Sequence, residues 1–160
     1  MTTLKELLTG EIQDLYAAER QLTKAIPKMA MGSNDPALQT TFNDHLQETV
    51  EQVARLEEIA KLLAIKATGK TCMGMEGVLK GWALAEKGDE TTHDLGIIGA
   101  GSRVEHYEMA AYLTAIELAT RMNETEVVVL LKQSLGEEMA TEAKLRKISG
   151  TLLKTMSAAA

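Results

Sequence analysis

Residues 98–122, IGAGSRVEHYEMAAYLTAIELATRM, decide the fold. Stepping through them by threes and fours picks out Ile98, Gly101, Glu105, Glu108, Tyr112, Ala115, Ala119 and Met122. That stripe is the inward seam of a long bundle helix. It is also anomalous, because Glu105 and Glu108 stand where leucines normally sit. A buried carboxylate without a partner is costly, so it must be protonated, hydrogen-bonded, paired or bound to a metal.

Working outward, Asn123 reads as the cap of a following helix with Glu126 at its third position. Its seam is Leu131, Leu135, Glu138, Glu142, Leu145 and Ser149, ending at Gly150, with residues 151–160 as a frayed tail. Upstream, Thr91-x-x-Asp94 is a weaker start signal for the quoted helix. Between about 67 and 90 five glycines fall close together, and Met73, Glu76, Val78, Leu79, Trp82 and Leu84 still suit a short amphipathic helix. This stretch reads as a crossover with a helix of its own.

The first half repeats the pattern. Thr3 and Glu6 form a capping box, followed by Leu8, Ile12, Leu15, Glu19, Leu22, Ile26 and Met29, with Pro27 expected to kink the helix end. Gly32 to Asp35 is a short loop, and Asp35-Pro36 opens a second helix with seam Leu38, Phe42, His45, Thr49, Gln52, Leu56, Ile59 and Leu63, ending near Ala67 to Gly69. The expected fold is therefore all-α, a ferritin-like up-and-down four-helix bundle in a single domain over 1–160, with an extra helix in the crossover.

Composition agrees. Aromatics are only 3% of the 160 residues, two prolines occur, and helix-forming Ala, Leu, Met, Glu and Lys dominate. A net charge of −6 without any basic run argues against nucleic acid as a partner. No segment has the ~20 apolar residues that span a bilayer, and the first residues lack an apolar signal core. With one cysteine, Cys72, these features lead us to expect a cytoplasmic protein.

The seam carboxylates have matched depths. Glu19 and Glu48 are centred on the Gly32–Asp35 loop, whereas Glu108 with Glu138 and Glu105 with Glu142 are centred at Asn123. A shift of 89 residues carries Leu15 onto Val104, Glu19 onto Glu108 and Leu46 onto Leu135, so the hairpins are weakly related. Carboxylates gathered from four helices are the chemistry of a dinuclear site, and hard oxygen ligands suit iron or manganese. The usual pattern adds Glu-x-x-His on two helices. Here those segments read Glu48-Thr49-Val50-Glu51 and Glu138-Met139-Ala140-Thr141, without the histidine. His45 is well aimed; His106 lies off the seam.

The stretches LYAAERQLTKAIPKMA, HLQETVEQVARLE, VEHYEMAAY and LLKQSLGEEMATEAKL resemble the YciE/YciF-type stress-response proteins of bacteria, over roughly residues 4–150. The resemblance implies a ferritin-like bundle, a homodimer and a metal site, and no established reaction. Its polar residues carried onto this chain are Tyr16, Glu19, His45, Glu48, Glu105, His106, Glu108, Glu138 and Glu142.

The expected metal set is accordingly Glu19, His45, Glu48, Glu105, Glu108, Glu138 and Glu142, with Glu19, Glu48, Glu105 and Glu138 as direct ligands. Iron or manganese in such a site admits a small oxidant, dioxygen or peroxide, as substrate. The plainer readings stand beside these. The acids could be surface residues of wide helical faces, His45 a hydrogen-bonded core histidine, and Tyr16 and Tyr112 core tyrosines. Glu137 reads as solvated, His93 as a surface residue near a cap, Cys72 as a small apolar residue, and Met29, Met31, Met73 and Met75 as packing. Trp82 suits the bundle end or a dimer contact. Functionally, the rival to a metal protein is a metal-free polar layer that sets bundle register; a storage cage would need a hollow multimer.

Overall fold

The computed structural model describes residues 3–68, 71–83 and 89–156; the readings of Leu84 and of the Trp82 side chain lie outside these. Five helices follow in order: α1 (Leu4–Gly32), α2 (Pro36–Leu62), α3 (Met73–Ala83), α4 (Glu90–Arg121) and α5 (Thr125–Thr155). α1 opens with the expected capping box, in which Thr3 and Glu6 bond reciprocally. α2 opens on the Asp35 cap with proline in its first turn.

α1 holds Pro27 in its last turns and ends at Gly32, as expected. Other boundaries differ from the sequence reading, each for a local reason. α2 stops at Leu62 instead of near 67–69, because Ala64 takes a left-handed φ of 53° and the Ile65 N–H reaches back to the Ala60 carbonyl, closing the helix. Asp89, not Thr91, caps α4 by accepting from the N–H groups of Thr91 and Thr92. Asp94 is buried, and its carboxylate accepts from the N–H groups of Asn34 (2.8 Å) and Asp35 (2.7 Å). His93 is half-buried beside it, with Nε2 3.1 Å from the Gly32 carbonyl. Asn123 does not cap α5; it makes the turn at φ 60°, and Glu124 precedes the helix without a side-chain cap bond. Finally, α5 runs beyond Gly150 to Thr155, since Leu152 is buried against the core.

Asp94 pins the start of α4 to the α1–α2 loop, so α1 and α5 run toward that end and α2 and α4 away from it. α1 packs on α2 and α4, α5 on α2 and α4, and the crossover helix α3 lies against α4 and α1. The apolar core comes in two pieces. One gathers Leu22, Ile26, Met29, Leu38, Phe42, Ile98 and Leu145 toward the loop end. The other gathers Leu8, Ile12, Leu15, Leu56, Ile59, Tyr112 and Leu131 toward the far end. Met29 and Met75 pack in the core as expected, whereas Met31 and Met73 are exposed. Between the two pieces lies a polar layer: Glu19, His45, Thr49, Gln52, Arg55, Glu105, Glu108, Ser134, Glu138 and Thr141 are all buried.

Candidate metal centre

Each helix delivers part of this layer through its seam. Glu19 follows Leu15 and precedes Leu22 on α1, and Glu105 and Glu108 sit between Gly101 and Tyr112 on α4. His45, Thr49 and Gln52 continue the Phe42 line on α2. Every one of these seam positions is buried. On α5 the phase differs from the sequence reading: Ser134, Glu138, Thr141 and Leu145 face inward, leaving Leu135 and Glu142 partly exposed.

The layer draws four side chains into one group. His45, Glu105, Glu108 and Glu138 each offer a donor atom, and these atoms all lie within 4.8 Å of one another. His45 Nε2 is 3.3 Å from Glu105 Oε1 and 3.7 Å from Glu138 Oε2. Glu19 is fully buried beside this group and accepts a 2.5 Å hydrogen bond from the Tyr112 hydroxyl. Glu48 and Glu142 do not join it. Glu48 stays 30% exposed, with Oε2 3.6 Å from His45 Nδ1 and 3.3 Å from the Thr141 hydroxyl that donates to it. Glu142 turns outward to Arg146 (2.6 Å) and to the exposed His106 (3.3 Å). Of the depth-matched pairs, Glu108 and Glu138 meet within the α4–α5 hairpin, and the inner four hold His45 and Glu108 in place of the expected Glu19 and Glu48.

Burial dominates the electrostatics. It pushes Glu105 and Glu19 well above the usual carboxylate range, reinforced by repulsion from Glu138, and Glu108 likewise, reinforced by Glu19. Glu138 also rises through burial, opposed by nearby His45 and the Gln52 amide. Tyr112 rises because it is buried against Glu19. Glu48 is held below the usual range, chiefly by its hydrogen bond with His45.

The donor set fits a cation. Both oxygens of Glu108, Oε2 of Glu19, Glu105 and Glu138, and Nε2 of His45 are buried without a hydrogen-bond partner. A protein rarely buries so many orphaned acceptors in one place, and a divalent ion satisfies several at once. One imidazole among carboxylates suits iron, manganese or zinc by ligand type.

Arg55 was not visible as a site residue. It is buried, donating to Ser134 Oγ (2.7 Å) and, in a fork, to both Glu137 oxygens (2.8 and 3.0 Å). Glu137 is therefore paired and not merely solvated. The Gln52 amide nitrogen donates to Glu137 Oε2 (3.0 Å) and to Glu138 Oε1, linking this pair to the acid group. The available signal was spacing, since Arg55 falls three residues after the seam position Gln52. Tyr16 instead points away and donates to Glu57. Cys72 is more than apolar filling: its Sγ lies 3.1 Å from the Tyr107 hydroxyl and 3.3 Å from Asp14 Oδ2.

The family model described as "Domain of unknown function (DUF892)" matches residues 3–158. The chain belongs to this family. As a DUF892 chain it is 32% identical over 152 residues to Protein YciF of Escherichia coli (strain K12), covering 93% of this chain and 92% of that protein. The crystal structure of the E. coli stress protein YciF superimposes with a TM-score of 0.92 at 31% identity, covering 98% of this chain and all 100% of that one. YcfI of Rhodopseudomonas palustris gives 0.87 at 35% identity, over 91% and 94% of the two chains. A Bacillus anthracis structure described as ferritin like, diiron-carboxylate gives 0.73 at 16% identity, over 93% of this chain and 99% of that one. The DUF892 fold here is thus ferritin-like.

Proposed function

We propose that this is a ferritin-like stress-response protein that binds iron or manganese in the polar layer of its bundle. The observation that carries the reading is the convergence of His45, Glu105, Glu108 and Glu138 around buried donor atoms that nothing among the described residues satisfies. Bound there, such a metal would supply one-electron exchange with dioxygen or peroxide. The chain's own contribution is to hold four donors rigidly on helices, with the Glu48 carboxylate facing His45 Nδ1. The two apolar core pieces keep bulk water from the layer on either side along the bundle axis. Metal-free protein reconstituted with Fe(II) or Mn(II) and then desalted should retain metal in whole-number proportion to chain by elemental analysis. Retention of none sinks the reading.

One observation favours a rival. Thr49, Gln52 and Thr141 occupy inward positions where a metal protein could carry stronger ligands, and Arg55–Glu137 adds a buried ion pair. In that reading the layer only sets bundle register, and Glu105→Gln alters stability equally with and without metal. In ours, the same substitution removes metal-dependent stabilisation. A homodimer in the cytoplasm without nucleic acid or membrane partners completes the proposal. Val50, Val129 and Met139 on the exposed faces of α2 and α5 offer apolar contact surface for a second copy. Light scattering should give about twice 17.4 kDa; a much larger particle would indicate a cage instead.

A further inference from the structure

Resting on that metal-binding reading and narrowing it, we propose that the layer takes a single divalent transition-metal ion per chain. His45, Glu105, Glu108 and Glu138 hold it, and an Arg55–Glu137–Gln52 arm fills the α2 side where a second ion would need ligands.

Ligand type and free oxygens distinguish one ion from two. A dinuclear carboxylate centre needs acids that bridge, each giving one oxygen to each metal, and ligands from all four helices. Glu138 divides its two oxygens between different partners. Its Oε1 accepts from the Gln52 amide, so only Oε2 faces His45 and the inner group. The amide orientation is dictated from behind. Both Glu137 oxygens accept from the Arg55 guanidinium, and the Gln52 group that faces them is the amide nitrogen. Arg55 is in turn anchored by Ser134, so the arm runs unbroken from α5 through α2 back to α5.

Glu19 accepts from the Tyr112 hydroxyl through Oε1 and is not among the four donors that converge. Among the described residues, Glu108 alone has both oxygens buried and unpartnered. The α2 positions one and two turns beyond His45 are Thr49 and Gln52, both buried and both neutral. A second cation would have a shared Glu108, one unpartnered oxygen each of Glu19 and Glu142, and neutral donors on α2. The first meets an imidazole and three carboxylates, the stronger set for a divalent transition metal.

Titration of metal-free, full-length protein with Mn(II), followed by calorimetry and electron paramagnetic resonance, decides the matter. The expected result is one equivalent per chain and, at saturation, the hyperfine-split signal of an isolated Mn(II). Glu19→Gln should keep that equivalent with affinity within about three-fold, whereas Glu105→Gln should weaken it by about ten-fold or more. Thr49→Glu with Gln52→His, which rebuilds Glu-x-x-His on α2, should admit a second equivalent. Wild-type uptake of two equivalents of similar affinity, or a spin-coupled pair, overturns the single-ion proposal while leaving the metal reading intact. Loss of half the bound metal in Glu19→Gln also overturns it. Uptake of no metal by the wild type overturns both. If the double variant fails to fold, the wild-type stoichiometry and the isosteric Glu19→Gln still decide.

Discussion

Glu108 shows what the layer asks of a single residue. Its side chain is fully buried, neither oxygen has a hydrogen-bond partner, and burial together with Glu19 pushes its pKa well up. Without metal it is a liability to the fold; with metal it is the least encumbered ligand. Glu108→Gln keeps the shape and removes the charge. The metal-free variant should be more stable than wild type by about 1–3 kcal/mol near neutral pH, by denaturant titration, and should lose most of its metal affinity. A variant that binds metal normally would show that Glu108 is not a ligand. Glu108 was legible in the sequence because a seam spacing exposes any charged residue that falls on it. Arg55 and Glu137 were not, since each alone resembles a solvated helix charge. Only the packing of α2 on α5 brings the guanidinium onto the carboxylate.

At the scale of elements, phase and docking decide more than propensity. The α5 seam was read one position off at Leu135 and Glu142, because α5 carries partly apolar residues on adjacent faces and periodicity alone does not choose between them. The neighbours choose: Arg55 takes Ser134, and Thr141 sits 3.4 Å from His45 Nδ1. For α3, a Cβ on Gly74 would fall 2.5 Å from the Tyr107 ring, whereas one on Gly77 would meet nothing within 4 Å. Gly74→Ala should therefore lift α3, costing about 1–3 kcal/mol and opening the crossover to limited proteolysis. Gly77→Ala should leave the protease pattern unchanged and gain up to about 1 kcal/mol from helix propensity. Equal behaviour of the two variants would contradict this docking. At the other end, Asp94→Ala strips the α1–α2 loop of its carboxylate partner. A loss of about 1.5–3 kcal/mol is expected in thermal or denaturant unfolding, as for hydrogen bonds to a charged group; a loss within error would show that water replaces Asp94 at no cost.

For the whole molecule, the polar layer makes stability depend on pH and on metal together. Glu19, Glu105 and Glu108 have raised pKa values when folded, so between the ordinary carboxylate range and those values the folded chain binds more protons than the unfolded one. Their favourable contribution is complete at acid pH and is lost as pH rises. Metal-free protein should thus melt at progressively lower temperature as pH rises above the ordinary carboxylate range, apart from the acid-labile contribution of other groups. Mn(II) should reverse the trend, stabilising most at the higher pH where fewer protons compete for the ligands. Melts in chelator and in Mn(II) that run parallel with pH would rule out this coupling.

Helix number, the two hairpins, the crossover helix and most seam residues followed from the sequence by itself, because burial of one helical stripe imposes a period that glutamate interrupts visibly. Which atoms meet was decided only by the tertiary structure. Glu48 and His45 lie three residues apart on one helix, yet the rotation of α2 against α4 and α5 sends the imidazole inward and leaves the carboxylate at the rim. A shift of one residue along a helix turns a side chain by about 100°. Spacing narrows that choice, and the packing of neighbouring helices settles it.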